Sequence, residues 1–441
     1  MFKKLILAAK SFFRRVYITL QMYGENGLAN HAAACAYGFL LSMAPMLLLL
    51  AFTIFFTLRS SPETILALVH TIPFLGNMFD ESWLSSDFFV FSRPSVPGII
   101  SVLSIIWAGR ILALSIQRGL KIVFPVAKNG NPVKYAMVSI AIEISVIVLA
   151  FVVIISSRTA TRFYELLNYV PRFTIFYFFT SHLGGKILSI FLLGFAAYCV
   201  YIFIPSHSPR KSSAFQGAVF CAVSYSGTVL LLSLILDKVR YNFLYGTFGN
   251  LIIILVNVYF FFSFFYIGAQ LAFVTDHYEA LLFSRLRLYK KKVSEKKRVI
   301  NSFNKFRFSV LVYNFFHPSK SNLGKYLRHY DKGEIILSRA DTVDVVENVF
   351  YLLDGEVEIL MPSLSGEGCF SGVLKPDSFF GGVGYLLYED QNATVMARSD
   401  VSVIVLPPSL FDIIIKYDKN IDRSLIEYMS HRSRIKNKNI A

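Results

Sequence analysis

The sequence predicts an all-α bundle of six transmembrane helices followed by a small all-β domain of the jelly-roll type. The first observation is composition: 55% of the 441 residues are hydrophobic and only 16% are charged, whereas soluble domains carry about a quarter charged residues. The second is a series of apolar runs of about 20 residues, the length that crosses a bilayer. The third is a change after residue 310 to short β-branched and aromatic segments. A purely soluble or a disordered protein is therefore excluded.

The first 24 residues predict an amphipathic helix that lies on the membrane surface. Six polar residues of this segment fall on one arc of a helical wheel: Lys3, Lys4, Lys10, Ser11, Arg14 and Arg15. Eight apolar residues fall elsewhere on the wheel: Phe2, Leu5, Ile6, Ala9, Phe12, Phe13, Val16 and Leu20. A signal peptide is disfavoured because Lys10, Arg14 and Arg15 interrupt the apolar core that such a peptide needs.

Six apolar runs within residues 25–280 are long enough to span a membrane. They lie near residues 31–57, 98–117, 135–156, 187–205, 213–235 and 248–273. The aromatic-rich stretch at 163–183 is interrupted by charged and polar residues. It is interpreted as an interfacial hairpin, and a seventh span is the alternative.

The distribution of Lys and Arg predicts the orientation of these spans. With the N-terminus inside, the inner segments carry most of the Lys and Arg near the span ends. Both termini are therefore predicted to lie in the cytoplasm. A seventh span would place the tail on the other side, against this distribution.

A basic connector at 281–309 follows the last apolar run directly. Basic clusters at a membrane exit commonly contact anionic lipid headgroups. The predicted headgroup ligands are Lys290, Lys291, Lys292, Lys296, Lys297 and Arg298. Such a patch can also bind nucleic-acid phosphates, but its position favours lipid, and no nucleic acid is expected as a partner.

Four polar residues inside the apolar runs form the candidate transmembrane site. Arg110 and Glu143 lie at the same depth in the second and third runs, which predicts a contact between them. Charges in hydrocarbon are costly and are commonly functional, so this pair either lines a substrate path or orders the bundle. Asn257 and Gln270 either face such a path or join neighbouring helices.

Residues 310–441 predict a cytoplasmic β domain. Its candidate strands are short and lie at 334–337, 349–353, 357–361, 370–374, 393–397 and 401–406. The dipeptides Asp354-Gly355 and Pro376-Asp377 supply turn chemistry between them. The regular spacing favours a closed jelly roll over an open sheet.

Motifs in the apolar region resemble the YihY/BrkB family of bacterial inner-membrane proteins over about residues 20–280. The matching residues are Tyr37, Ser42, Pro45, Pro205, Gly217, Tyr245, Gly246, Gly249, Tyr259 and Gly268. The resemblance implies six transmembrane helices in the inner membrane and a role in the cell envelope. The chain has Asn257 where the family has Trp, and Gln270 where the family often has Glu.

Members of that family have also been labelled ribonucleases, and the sequence disfavours this activity. Metal-dependent hydrolysis of RNA needs clustered His and carboxylate ligands. The eight histidines of the chain are scattered singly and lack metal-ligand spacing. The sequence therefore predicts no catalytic residues, no metal and no cofactor.

The tail resembles the cyclic-nucleotide-binding fold through Lys332-Gly333-Glu334, Phe380-Gly381 and Ala393-Thr394. The resemblance implies a phosphate cassette beginning at Gly381 and ending near Thr394. The family has Glu at the position of Gly382 and Arg at the position of Gln391. Because a buried phosphate favours a charge-assisted partner, the fold is expected without its usual ligand. Backbone amides around Gly381 leave a different small ligand open.

These observations predict an inner-membrane protein that transports or handles an amphiphilic or anionic molecule of the cell envelope. The β domain is expected to regulate it, or to recruit a protein partner. The alternative is a membrane scaffold without transport, and a ribonuclease is the third and disfavoured hypothesis. The chain has no glycine-rich loop ending in Gly-Lys-Ser/Thr, so it is not expected to hydrolyse ATP.

Overall fold

A computed structural model gives the structure of much of the chain. It describes residues 2–41, 110–112, 114–125, 182–205, 208–236, 242–297, 303–318, 321–338, 348–362, 369–381 and 394–417. The chain divides into two compact units. The helical unit comprises Thr19–Asp276, and the mixed unit comprises Met1–Ile18 together with His277–Ala441.

The helical unit consists of helices wherever the structure describes it. They are α1 (Phe2–Glu25), which begins in the mixed unit, α2 (Leu28–Leu41), α3 (residues 114–123), α4 (His182–Phe203), α5 (Lys211–Leu236) and α6 (Asn242–Asp276). Two stretches, Lys211–Leu232 and Leu255–Asp276, are long and apolar enough to cross a membrane. The predicted third span, at 135–156, and nearly all of the hairpin at 163–183 lie outside the described residues. The helical character is therefore confirmed, whereas the six spans are not.

Close glycine contacts join α5 and α6. A Cβ added to Gly268 would lie 2.6 Å from the carbonyl oxygen of Gly217, and a Cβ added to Gly217 would overlap the Gly268 carbonyl. The Tyr201 hydroxyl of α4 donates to the Phe265 carbonyl at 2.6 Å beside this crossing. Small residues let membrane helices approach this closely, so two motif glycines far apart in sequence form one contact.

The mixed unit contains an antiparallel β-sandwich, which confirms the predicted all-β domain. Its strands are β1 (Leu327–Tyr330), β2 (Ile335–Leu337), β3 (Val349–Asp354), β4 (Val357–Pro362), β5 (Cys369–Leu374), β6 (Phe379–Gly381), β7 (Thr394–Ala397) and β8 (Val401–Leu406). One sheet has the order β1-β8-β3-β6 and the other the order β2-β7-β4-β5. Phe350, Leu352, Val357, Val395 and Val403 lie in the core between them.

Helices flank this sandwich within the mixed unit. They are α7 (Tyr278–Lys297), α8 (Phe303–Phe316) and α9 (Pro408–Tyr417), with a 3₁₀ turn at Asn322–Tyr326. The basic connector predicted at 281–309 is thus mostly helical where it is described. It belongs to the same compact unit as the β-sandwich.

The N-terminal helix α1 also packs into the mixed unit, in a way that its sequence does not reveal. Arg14 is only 4% exposed, and its Nε donates to the Phe315 carbonyl of α8 at 2.8 Å. The Arg15 guanidinium lies 4.9 Å from the centre of the Tyr278 ring. The polar arc of α1 therefore partly faces protein, because guanidinium groups bind carbonyls and aromatic rings as well as phosphates.

Substituting Gly217 by Ala tests the crossing of α5 and α6. The added methyl group overlaps the Gly268 backbone, so we expect a loss of about 1–3 kcal/mol of stability from overpacking. Thermal unfolding in detergent measures this loss. Gly227→Ala in the same helix is the control, because a Cβ there meets no atom within 4 Å. Equal unfolding temperatures for both variants would contradict the close contact.

Candidate functional site

The contact between α7 and the β-sandwich is the candidate regulatory site. We call it the α7–β contact, and it comprises Phe283, Arg287 and Lys290 of α7 with Tyr351, Asp377 and Phe379 of the sandwich. Helix α7 is largely buried in its first three turns. Its buried residues include Leu282, Phe283, Leu286 and Tyr289. Only His277 separates α7 from α6 in the chain, so this contact lies on the helix that follows the last predicted span.

An ion pair lies at the centre of the α7–β contact. The Nε of Arg287 is 3.1 Å from Oδ1 of Asp377, and the Arg287 side chain is 11% exposed. The Tyr351 hydroxyl donates to the same Oδ1 at 2.8 Å. Burial raises the pKa of Tyr351 well above its ordinary value, and the Asp377 carboxylate adds to this shift. Tyr351 therefore stays protonated and remains a hydrogen-bond donor.

Asp377 has an unusual backbone conformation. Its φ of 76° makes it the one non-glycine residue with positive φ among those that the structure describes. Such a conformation costs on the order of 1–3 kcal/mol for non-glycine residues, although Asp tolerates it better than most. Its backbone N–H donates to the Leu352 carbonyl at 3.0 Å. The predicted turn at Pro376-Asp377 is therefore held by backbone and side-chain contacts together.

Aromatic rings extend the contact toward the predicted cassette. The Arg287 guanidinium lies 5.1 Å from the centre of the Phe379 ring in β6. Phe283 packs edge-on against Tyr351 at 5.1 Å, and Phe379 contacts Tyr351 at 5.2 Å. Strand β6 ends at Gly381, where the cassette begins. Helix α7 is therefore packed on the strand that leads directly into the cassette.

Gly381 occupies a position that only glycine fits. Its φ is 70°, and a Cβ there would lie 2.6 Å from Cδ2 of Phe350. Thr394 opens β7 and pairs with Leu360 of β4. Gly382 and Gln391, the two departures from the family pattern, lie outside the described residues. The structure thus gives the two ends of the cassette.

The side chain of Lys290 contacts the β-sandwich, although the sequence assigned it to lipid headgroups. Its Nζ donates to the Leu353 carbonyl and lies 3.9 Å from Oδ1 of Asp354. Burial lowers its pKa, and the charges of Asp354 and Asp377 oppose this shift. Residues three apart lie on the same side of a helix, so Lys290 faces the sandwich together with Arg287. Lys290 is thus engaged within the mixed unit.

The other predicted headgroup ligands have different surroundings. Lys291 and Lys292 are exposed, and the Lys292 ammonium lies 5.3 Å from the centre of the Tyr289 ring. Lys296 and Lys297 lie in the last turn of α7, and Arg298 lies outside the described residues. The assignment of these residues to lipid stays a prediction.

The two amides predicted in the last span make contacts within the helical unit. Gln270 is 0% exposed, and its Oε1 accepts from Nδ2 of Asn26 at 3.2 Å. The Asn257 amide donates to the Ile253 carbonyl of its own helix at 3.1 Å. These contacts favour the interpretation of Gln270 as a link between segments. Arg110 is exposed, and the predicted contact with Glu143 lies outside the described residues.

Sequence reasoning missed a buried link formed by Cys35 and Tyr266. The Cys35 sulfur of α2 lies 3.1 Å from the Tyr266 hydroxyl of α6. That hydroxyl also lies 3.2 Å from the Ser115 carbonyl of α3. Both residues stand in continuous apolar runs, where neither carries a periodic signal. A polar contact among three helices becomes visible only when they are assembled.

The remaining motif residues are distributed over the helical unit. Tyr37 is exposed on α2, Pro205 follows the end of α4, and the Tyr259 carbonyl accepts from the Ser263 hydroxyl at 2.8 Å. Tyr245, Gly246 and Gly249 lie in the first turns of α6. Ser42 and Pro45 lie outside the described residues. Of the motif residues, the structure brings together Gly217 and Gly268.

Comparisons with known proteins match the helical region and the β-sandwich to two different families. The family model "Virulence factor BrkB" matches residues 19–287, and the model of the cyclic nucleotide-binding domain matches residues 327–418. The comparison with curated proteins gives no match. The assignment of both regions therefore rests on the family models.

Several solved structures are similar to part of the chain. A transcriptional regulator from Thermotoga maritima is 19% identical over 26% of this chain and 87% of its own, with a TM-score of 0.22. The catabolite activator protein of Thermus thermophilus is 18% identical over 27% of this chain and 55% of its own, with a TM-score of 0.23. The heme domain of CooA from Rhodospirillum rubrum is 16% identical over 26% of this chain and 78% of its own, with a TM-score of 0.22.

Arg287→Gln tests the ion pair of the α7–β contact. The substitution removes the charge that faces Asp377. We expect the free energy of unfolding to fall by about 1–3 kcal/mol, which is the cost of a lost charged hydrogen bond. Thermal unfolding of the full chain in detergent measures it. Lys325→Gln is the matched control, because Lys325 pairs with Glu279 of α7 at 2.6 Å but is 55% exposed. Exposed pairs contribute about 0–1 kcal/mol, so an equal effect of both variants would contradict a special role for Arg287.

Proposed function

We propose, from the premise that the chain belongs to the virulence factor BrkB family of membrane proteins, that it is a multi-pass inner-membrane protein controlled by its β domain. In this proposal the helical unit moves or handles an amphiphilic or anionic molecule of the cell envelope. The β domain, which matches the cyclic nucleotide-binding family, regulates that activity. The proposal includes no catalytic reaction.

The α7–β contact is the observation that carries the regulatory part. A change in the cassette that displaces β6 also displaces Phe379, which lies against Arg287 and near Phe283 of α7. Because α7 follows α6 after a single residue, a movement of α7 acts on the end of the last membrane helix. A regulatory element with two states needs packed contacts that link it to the part it controls, and the contact of β6 with α7 is of this type.

Contacts of α1 support an even number of spans. The Tyr17 hydroxyl of α1 lies 2.8 Å from the Tyr289 hydroxyl of α7, and Arg14 binds the Phe315 carbonyl of α8. Segments in direct contact must lie on the same side of a membrane. In the proposal the segments that precede and follow the helical unit share one side, and the excess of Lys and Arg favours the cytoplasm for that side.

The class of molecule rests on the charge in the predicted second span. Arg110 lies deep in an apolar run, where a charged residue is commonly part of a substrate or ion path. A guanidinium group favours anionic partners such as phosphates and carboxylates. An anionic or amphiphilic envelope molecule fits this chemistry. Its chemical identity is left to experiment.

The ligand of the β domain is proposed to differ from the common cyclic nucleotides. The family pattern has an Arg for the cyclic phosphate where this chain has Gln391, and a buried phosphate without a cation lacks its strongest partner. A small ligand bound by backbone amides, or a protein partner, fits the cassette better. Thermal stabilisation of the full chain by cyclic AMP or cyclic GMP would contradict this part of the proposal.

The alternative is a membrane scaffold without transport, and the packing of the helical unit favours it at specific points. Gln270 accepts from Asn26 and contacts the Met22 sulfur, and Gly217 and Gly268 pack closely between α5 and α6. These contacts join segments of the helical unit to one another. The two hypotheses are separated by measuring flux.

Release of an anionic amphiphile from proteoliposomes tests both transport and its regulation by the β domain. We expect vesicles with the wild-type chain to release an anionic amphiphile, and we expect Arg110→Ala to abolish that release. Arg287→Gln should change the rate of release, because it weakens the α7–β contact. Lys325→Gln should keep the wild-type rate. No release of any anionic lipid or ion by the folded wild-type protein would favour the scaffold. A rate unchanged by Arg287→Gln would contradict control through α7.

Reporter fusions test the topology separately. The proposed topology, which the contacts of α1 with α7 and α8 support, places both flanks in the cytoplasm, so we expect fluorescent-protein fusions at either terminus to fluoresce. Alkaline phosphatase fusions at the same points should be inactive. An active phosphatase at the C-terminus alone would show an odd number of spans and would contradict these contacts.

A further inference from the structure

The two sides of α1 differ in what covers them. On one side Arg14 is buried against α8, and Ile18 is buried as well. On the other side Phe12 is 49% exposed and Phe13 is 65% exposed. The two rings pack edge-to-face with their centres 6.4 Å apart. The helix therefore presents large aromatic residues away from the protein.

The exposed side of α1 is apolar along several turns. Ala9, Phe13, Val16 and Leu20 recur at intervals of three and four residues, which places them on one face of a helix. Ala9, Phe13 and Leu20 are exposed and Val16 is partly buried. Contiguous apolar surface of this kind marks a site of contact with protein or membrane. The sequence predicts the polar arc of α1 but does not show which apolar residues the fold leaves exposed.

The place of α1 in the chain identifies what covers this face. Helix α1 ends at Glu25, and α2 begins at Leu28 as the first apolar helix of the helical unit. Residues 31–57 are predicted to form the first span, so a helix that ends at Glu25 is expected near the bilayer surface. Aromatic residues are enriched at that depth, and the exposed Lys10 can extend its ammonium group to the headgroups.

We infer that the face of α1 formed by Ala9, Phe13, Val16 and Leu20, with Phe12 beside it, inserts into the lipid at the membrane surface where the chain enters α2, while the opposite face binds α7 and α8. Helix α1 then binds lipid on one side and the mixed unit on the other. The inference depends on membership of a membrane family and on the contacts of α1. It does not depend on whether the protein transports anything.

Tryptophan fluorescence in nanodiscs tests the inserted face. Phe13→Trp is prepared in the full chain, in discs of phosphatidylethanolamine and phosphatidylglycerol with or without bromine on the upper acyl chains, and the wild-type emission is subtracted. An interfacial helix lies about 5–10 Å into the headgroup and acyl boundary, so we expect strong quenching by the brominated lipid and little by aqueous iodide. Phe12→Trp is a second reporter, because its exposed position tolerates the same change.

Tyr17→Trp is the matched control on the same helix, since the Tyr17 ring packs against Phe316 at 5.8 Å. It should be quenched much less by brominated lipid than either exposed reporter. Thermal unfolding verifies that each variant is folded before it is compared. Quenching of the exposed reporters by iodide alone would show that the face lies in water. Protection from both quenchers would show that a second copy or another protein covers it, and either result would overturn the inference.

Discussion

The contact of α7 with the β-sandwich is the constraint on which the rest of the mixed unit depends. Arg287 is nearly buried, and a guanidinium group removed from water is stable only with a matching anion and further contacts. Asp377 supplies the anion, Tyr351 holds that carboxylate, and Phe379 covers the guanidinium. The same contact holds the Asp377 side chain in its turn and packs on Phe379 of β6, the strand that ends at Gly381.

The N-terminal helix adds a second connection to the same body. Because α1 contacts α7 and α8 and then continues to α2, the mixed unit is joined in the chain to both the first and the last helices of the helical unit. The part of the predicted basic connector that the structure describes is mostly helical, and several residues of α7 are buried.

The helical unit is held together by a few specific contacts between apolar helices. In lipid the hydrophobic effect does not drive helices together, so close packing and polar contacts decide their arrangement. The glycine pair between α5 and α6, the bond from Asn26 to Gln270, and the contact of Cys35 with Tyr266 serve this purpose. None of these pairs is close in sequence, and each joins segments that a hydropathy pattern treats as equivalent.

The sequence by itself determined which parts of the chain form apolar helices and which form a β domain, because those properties follow from local periodicity and composition. The dipeptide Pro376-Asp377 located the turn at Asp377, whereas Gly381 and the motif glycines were identified through the family resemblances. The sequence did not determine which groups the charged side chains contact. Arg14 lies on the polar arc of the predicted interfacial helix and Lys290 is among the predicted headgroup ligands, and in the structure they contact a carbonyl of α8 and strand β3. Only the tertiary structure decided which groups these two cations contact. A cation is stabilised by the acceptors that the fold brings within reach, and here those acceptors lie far away in the chain.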